Sequence, residues 1–310
     1  MKLLLDVLDL LDDPSVNGEV VVRYLKTLGV TEAVTKTLSG EKGSTDFVKI
    51  LIAGRNGKTR GGNAPTLGIV GRLGGLGARP TRIGFTSDGD GALAALTVAA
   101  FLGRMRHRGD VLEGDVIVTS HVCPHAPTRP HEPVPFMESP ITSAQCNHEE
   151  IDAQMDAVLS IDTTKGNRIL NKRGIAITPT VKNGYILRVS ESLLDIYETT
   201  TGELASVLPL TQQDITPYGN GIYHINSILQ PSVATEAPCV GVAITTQSLV
   251  AGCATGATHV TDVDEAVRFA VEVAKAFTSR HCSFYDEKEF SRLIRLYGSL
   301  AHFKTQGEML

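Results

Sequence analysis

The sequence predicts an α/β protein with a mainly parallel, mixed sheet covered by helices, folded as a single domain over residues 1–310. Three observations predict it. Hydrophobic residues make up 42% and charged residues 20% of the 310, the balance of an ordinary globular chain. Short apolar runs rich in β-branched residues alternate with segments of helical period, the pattern of strands whose two faces are both covered. No internal repeat, low-complexity stretch or linker interrupts that alternation.

The elements follow in order. In MKLLLDVLDLLDD, residues Leu3, Leu4, Val7, Leu8 and Leu11 recur at helical spacing, and Pro14, Asn17 and Gly18 close the segment. Asp6, Asp9, Asp12 and Asp13 break the apolar run that a secretory leader would need. Residues 47–54, 66–75, 82–88 and 115–122 read as strands, and 91–105, rich in Ala and Leu, as a helix packed on the sheet. In the second half a polar segment around 148–157 suits a helix. AVLSIDTT, GIAITPTV, SVLPLT and CVGVAITT suit strands, and VSESLLDIYETT, 262–277 and 286–297 suit helices.

The formal net charge is −5, with no long basic run, so the electrostatic footprint of a nucleic-acid binder is missing. No apolar stretch reaches the ~18 residues of a membrane span. The five cysteines, at 123, 146, 239, 253 and 282, are odd in number and scattered. That argues against a disulfide framework and for a reducing, cytoplasmic compartment.

Ligands of such sheets gather at the carboxyl ends of the strands, and chemistry-bearing residues collect there. Asp88 and Asp90 stand where 82–88 hands over to the next helix; they either cap that helix or hold a metal or a substrate ammonium. His121, Cys123, His125 and His131 fall within eleven residues of one another. Alternate residues of an extended segment share a side, so the first three could converge on zinc or another divalent ion, or simply hydrogen-bond in a rigid loop. Asp162, with Thr163 and Lys165 beside it, ends another strand, and the loop after CVGVAITT leads to Cys253, Thr255, Thr258 and His259. The glycine loops GRNGKTRGG and GRLGGLGARP offer backbone N–H groups with Arg72 or Arg79 to an anion, but match neither a P-loop nor a dinucleotide fingerprint. YGNGIYHINSILQP carries Tyr218, Asn220, Tyr223 and His224 and reads as a ligand-binding loop or as the interface of a homo-oligomer.

EKGSTDFVKI, APTLGIVGRLGGLGARP, SDGDGALAAL, HVCPHAPTRPHEPVPFM, SIDTTKGNR, ITPYGNGIYHINSILQP and GCATGATH together resemble the bacterial family called domain of unknown function 1177, which implies no activity. The order of elements also resembles the zinc-dependent aminopeptidases and carboxypeptidases of the phosphorylase/hydrolase-like fold. This resemblance implies a three-layer sandwich and a two-metal site. SDGDGALAALTVAAFL is similar to that group's strand-to-helix Asp element, VLSIDTT to its later strand ending in Asp, and the segment holding His259 to its last element. The chain departs from the group where Gly, Arg and Leu replace an expected His after TLGIVG, and where His121 stands in place of a catalytic Glu pair.

The first functional expectation is therefore a metal-dependent hydrolase acting on an amide of a small peptide or amino-acid derivative. Asp88, Asp90, His121 and Asp162 would be its metal ligands and His259 a further ligand or a base. Arg72, Thr163, Lys165, Tyr218, Asn220 and His224 are the candidate substrate contacts. The alternatives are a non-catalytic protein holding an amino-acid-like ligand in the same pocket, and a lyase or isomerase using a Cys123 thiolate activated by His121.

Overall fold

In the computed structural model, which describes residues 1–132, 134–248, 254 and 258–308, the apolar runs build one mixed sheet. Its strands are β1 (Glu32–Gly40), β2 (Gly43–Ile52), β3 (Leu67–Gly71) and β4 (Val116–Val122), then β7 (Ala157–Thr163), β8 (Gly174–Ile177), β9 (Val181–Lys182), β10 (Tyr185–Ile186) and β11 (Cys239–Thr245). Between them β5 (Thr128–Arg129) and β6 (Phe136–Met137) form a separate two-stranded ribbon. The spatial order is β1-β2-β4-β3-β7-β11-β9-β10, with β8 also pairing β11. The central strands β4, β3, β7 and β11 run parallel, while the β1–β2 hairpin, β8 and β9 join antiparallel at the two sides.

Every residue of β3, β4 and β11 is buried, and all of β7 except Thr163, so both faces of the sheet are covered. On one face lie α1 (Lys2–Asp12), α2 (Gly18–Thr27), α3 (Asp90–His107), α5 (Glu191–Thr201) and α6 (Val260–Thr278), packed with Ile69, Val118 and Leu159 in a single apolar cluster running from Leu3 to Phe284. On the other face Val70, Ile117, Val158 and Ala243 are covered by Leu208, Ile215, Ile228 and Leu229 from irregular chain, with α4 (Ser143–Glu150) beside them. The last helix, α7 (Glu287–Tyr297), buries none of its side chains fully. Among the described residues no helix is long and apolar enough to cross a membrane.

Several local expectations change. Asn17 and Gly18, expected to close α1, instead open α2, where the Asn17 side chain accepts from Val20 N at 3.0 Å, and α1 already ends at Asp12. The 82–88 run is not a strand: Ile83 is 96% exposed, Gly84 has φ +85°, and β3 already has β4 and β7 on its two sides. The SVLPLT run makes only an isolated bridge, Ile177 to Val207, since Pro209 has no N–H for a ladder. The polar helix lies earlier than 148–157, at Ser143–Glu150, because Thr142 and Gln145 make a capping box.

Candidate functional site

Parallel strands that end together set the site. Arg72 follows β3 and continues the ladder through its N–H, which donates to Ile161 O at 2.8 Å, so Arg72 stands beside Asp162. Gly91, in the first turn of α3, meets the same two ends. A Cβ there would lie 2.4 Å from Arg72 O and 2.5 Å from Ile161 O, so only glycine lets the helix bring Asp90 this close. A cavity of 180 Å³ opens at this edge, lined among others by Arg72, Asp88, His121, Cys123, Cys146 and Tyr218. Gly75 makes room for one of these groups: a Cβ at that position would meet Asp88 Oδ2 at 2.6 Å.

Behind the cavity wall lies a buried charged cluster. Arg72 Nη1 pairs with Glu150 at the end of α4 and donates to Asn147 Oδ1 at 3.2 Å. Ser227 Oγ donates to Asp162 Oδ2 at 2.7 Å. Arg72, Glu150 and Asp162 are exposed by only 4%, 0% and 2%, and each keeps one buried atom with no hydrogen-bond partner: Arg72 Nε, Glu150 Oε1 and Asp162 Oδ1. Burial, only partly offset by the Ser227 hydroxyl and the Arg72 charge, raises the Asp162 pKa to about 6. The Glu150 pKa is also raised by burial, against the pull of Arg72.

His121 belongs to a different kind of arrangement. Its Nε2 accepts from Gly74 N at 3.0 Å, which leaves the proton on Nδ1 to donate to Thr45 Oγ1 at 2.9 Å. Thr45 in turn donates to Val122 O at 3.3 Å, and the imidazole stacks on Phe47. Burial first, and the nearby Arg72 charge second, push the His121 pKa down to about 3. Cys123, with its Sγ on Ser44 O at 3.5 Å, is pushed by burial up to about 11. A thiolate activated by an imidazolium, as the lyase reading needs, is opposed by both shifts.

Asp90, Lys165 and Thr258 form a third group. Thr258 Oγ1 donates to Asp90 Oδ1 at 2.7 Å and Lys165 Nζ to Oδ2 at 3.3 Å, with Lys165 7% and Asp90 0% exposed at the side chain. The helix cap expected of Asp88 or Asp90 falls instead to Gly89. Exposed His259 precedes α6, and Asp90 is held by Lys165 and Thr258 more than by His259. Asn220 and His224 turn inward on their own loop, to Thr216 and Ile222. Thr163 Oγ1 is buried without a partner. His125 is exposed, His131 Nδ1 meets Val134 O, and Arg79 ties to Asp12 and Pro124. Cys253 and Thr255 lie outside the described residues.

The expected set of Asp88, Asp90, His121 and Asp162 does not fit zinc or a similar ion. A ligand needs a free lone pair directed at the metal, yet His121 has none to give, since Nε2 accepts from Gly74 N and Nδ1 carries the proton, and Asp90 is already paired with the Lys165 ammonium. Among the described residues no three His, Cys, Asp or Glu side chains are arranged to hold a metal ion. Glu150, Ser227 and Asn147 were not legible as site residues. Glu150 ends a helix of polar sequence with no apolar period to mark an inward face, and its only signal was that a buried Arg72 requires an acidic partner.

Among solved structures the chain is similar to the cytosol aminopeptidase of Coxiella burnetii, with 13% identity, a TM-score of 0.50, and 89% of this chain covering 68% of that one. It is also similar to a variant of tomato leucine aminopeptidase, with 13% identity, a TM-score of 0.49, and 87% of this chain covering 61% of that one. The first likeness shows the fold. Comparison with curated protein sequences gives no match. The family model described as protein of unknown function (DUF1177) matches residues 36–307, and the chain belongs to that family.

Proposed function

We propose that the chain is a small-ligand-binding protein on an aminopeptidase-like fold, and that its cavity takes an amino-acid-like molecule. Asp88 would face the ligand's ammonium group and Arg72 its carboxylate. One observation carries this reading: two side chains of opposite charge, each 4% exposed, stand on the walls of one cavity at the carboxyl ends of the strands. Tyr218 and Ser227 bring hydroxyl groups to the same wall, and Ala126, Met137 and Cys146 an apolar one, the mix expected of a ligand pocket. A cavity of 180 Å³ is smaller than the ~300–1,000 Å³ of sites that take drug-sized ligands, which favours a ligand as small as an amino acid.

Metal-dependent amide hydrolysis, the first expectation, asks for a ligand set in which His121 has no lone pair to give and Asp90 is already paired with Lys165, and likeness of fold does not carry activity. Calorimetric titration with free amino acids, amino-acid amides and dipeptides tests the proposal. Free amino acids with short apolar side chains should bind. Amides should bind at least tenfold more weakly, and Asp88→Asn should lower affinity by a similar factor. Steady release of amino acids from dipeptides would favour the hydrolase, and failure of every free amino acid to bind at millimolar concentration would overturn the reading.

We further propose a single domain over residues 1–310, acting in the cytoplasm as a homo-oligomer. The apolar cluster running from Leu3 to Phe284 supports the first, the free cysteines 123, 146, 239 and 282 support the second, and the exposed Ile222, Tyr223 and Ile225 support the third.

A further inference from the structure

Asp162, near the end of β7, and Asp90, at the start of α3, each already have a buried cation beside them. Asp162 neighbours Arg72, whose N–H binds the preceding residue of β7, and the two charges act on each other. Asp90 receives Lys165 Nζ at 3.3 Å. Gly91 holds the first turn of α3 against the backbone of both Arg72 and Ile161, so these two pairs share one small region. The Arg72 pair extends to Glu150, also fully buried. Formally the five groups carry two positive and three negative charges, which one or two divalent ions would balance if the cationic side chains were absent. A divalent ion placed against Asp162 Oδ1 would instead stand close to a guanidinium in a region of low dielectric, where like charges repel strongly.

We propose that Arg72 and Lys165 are the built-in cations of this site, standing where the resemblance to two-metal peptidases implies metal, and that the native chain binds no stoichiometric divalent ion there. The inference concerns the charge of the site and is independent of which ligand the cavity takes. It also accounts for why Arg72 can be buried: Glu150 and Asp162 together hold its charge in place, and its unpartnered Nε remains for a small polar group entering from the cavity.

Manganese and zinc titrations into chelator-treated protein test it, read by calorimetry and by elemental analysis after dialysis. The native chain and Arg72→Lys should retain less than a tenth of an equivalent. Arg72→Met removes the cation and leaves Glu150 and Asp162 opposed, so it should gain about one equivalent of manganese and a metal-dependent rise in Tm. Adding Asp162→Asn to Arg72→Met should abolish both. Stoichiometric metal in the native chain that is lost in Asp162→Asn would overturn the proposal, as would a folded Arg72→Met that binds no more metal than the native chain. If Arg72→Met does not fold with or without metal, the native chain compared with Asp162→Asn decides the matter by itself.

Discussion

The two sides of the cavity are built by opposite rules. On one side His121 has both ring nitrogens bonded and a ring stacked on Phe47, so its buried polarity is fully met within the fold. On the other, Arg72, Glu150 and Asp162 each retain a buried atom without a partner, although a buried orphan costs about 1–3 kcal/mol. The histidine-rich motif is therefore scaffold and the acid-rich one is not. A satisfied polar group fixes the shape of the pocket, whereas an unsatisfied cluster beside a cavity is where a ligand or a water can be received.

Four perturbations sharpen that contrast, in decreasing size. Arg72→Met should destabilise the metal-free chain by about 3–5 kcal/mol by leaving Glu150 buried and unpaired. The additional change Glu150→Gln should recover much of that, as measured by chemical denaturation. Asp162 should make itself felt through pH. Its pKa rises from 3.8 to about 6 on folding, so the folded chain holds a proton that the unfolded chain has released. The stability it contributes is therefore present below about pH 4 and lost as pH rises through about 6, a change of up to about 3 kcal/mol. Asp162→Asn should remove this fall. The depressed His121 works in the other direction, costing stability as pH drops below its unfolded value, but it is common to both chains and cancels in their difference.

His121→Ala should cost about 2 kcal/mol by orphaning the Gly74 N–H and removing one of the two partners of the Thr45 hydroxyl, with no change in metal content. If it abolished a bound metal, the scaffold reading of His121 would fail. Tyr223→Ser on the 218–231 loop should shift the protein toward monomer in light scattering while changing stability by no more than about 0.5 kcal/mol. Unchanged assembly would remove the loop from the oligomer interface.

How legible this was depended on whether a residue's role is written in local pattern. The buried strands β3, β4, β7 and β11 were readable because runs such as VIVTS and CVGVAIT are apolar on both faces. Helix α6 was readable from its period and from the Asp residues near its start. The β1 strand was not, since most of its side chains are wholly or partly exposed and it carries little apolar signal. Within the site, Arg72, Asp88, His121, Cys123 and Tyr218 were named from sequence and line the same cavity. Their roles were not readable, because which partner a buried His or Asp meets is decided by groups distant in sequence: Thr45 and Gly74 for His121, Lys165 and Thr258 for Asp90, Ser227 for Asp162. Glu150 was missed for the same reason, since only the fold brings α4 against Arg72.

The most direct measurement is calorimetric titration of the native chain with free amino acids in excess chelator, with elemental analysis of the same sample. Saturable binding by metal-free protein, weakened at least tenfold in Asp88→Asn, is the predicted result. Binding that appears only after a divalent ion is restored would contradict the account.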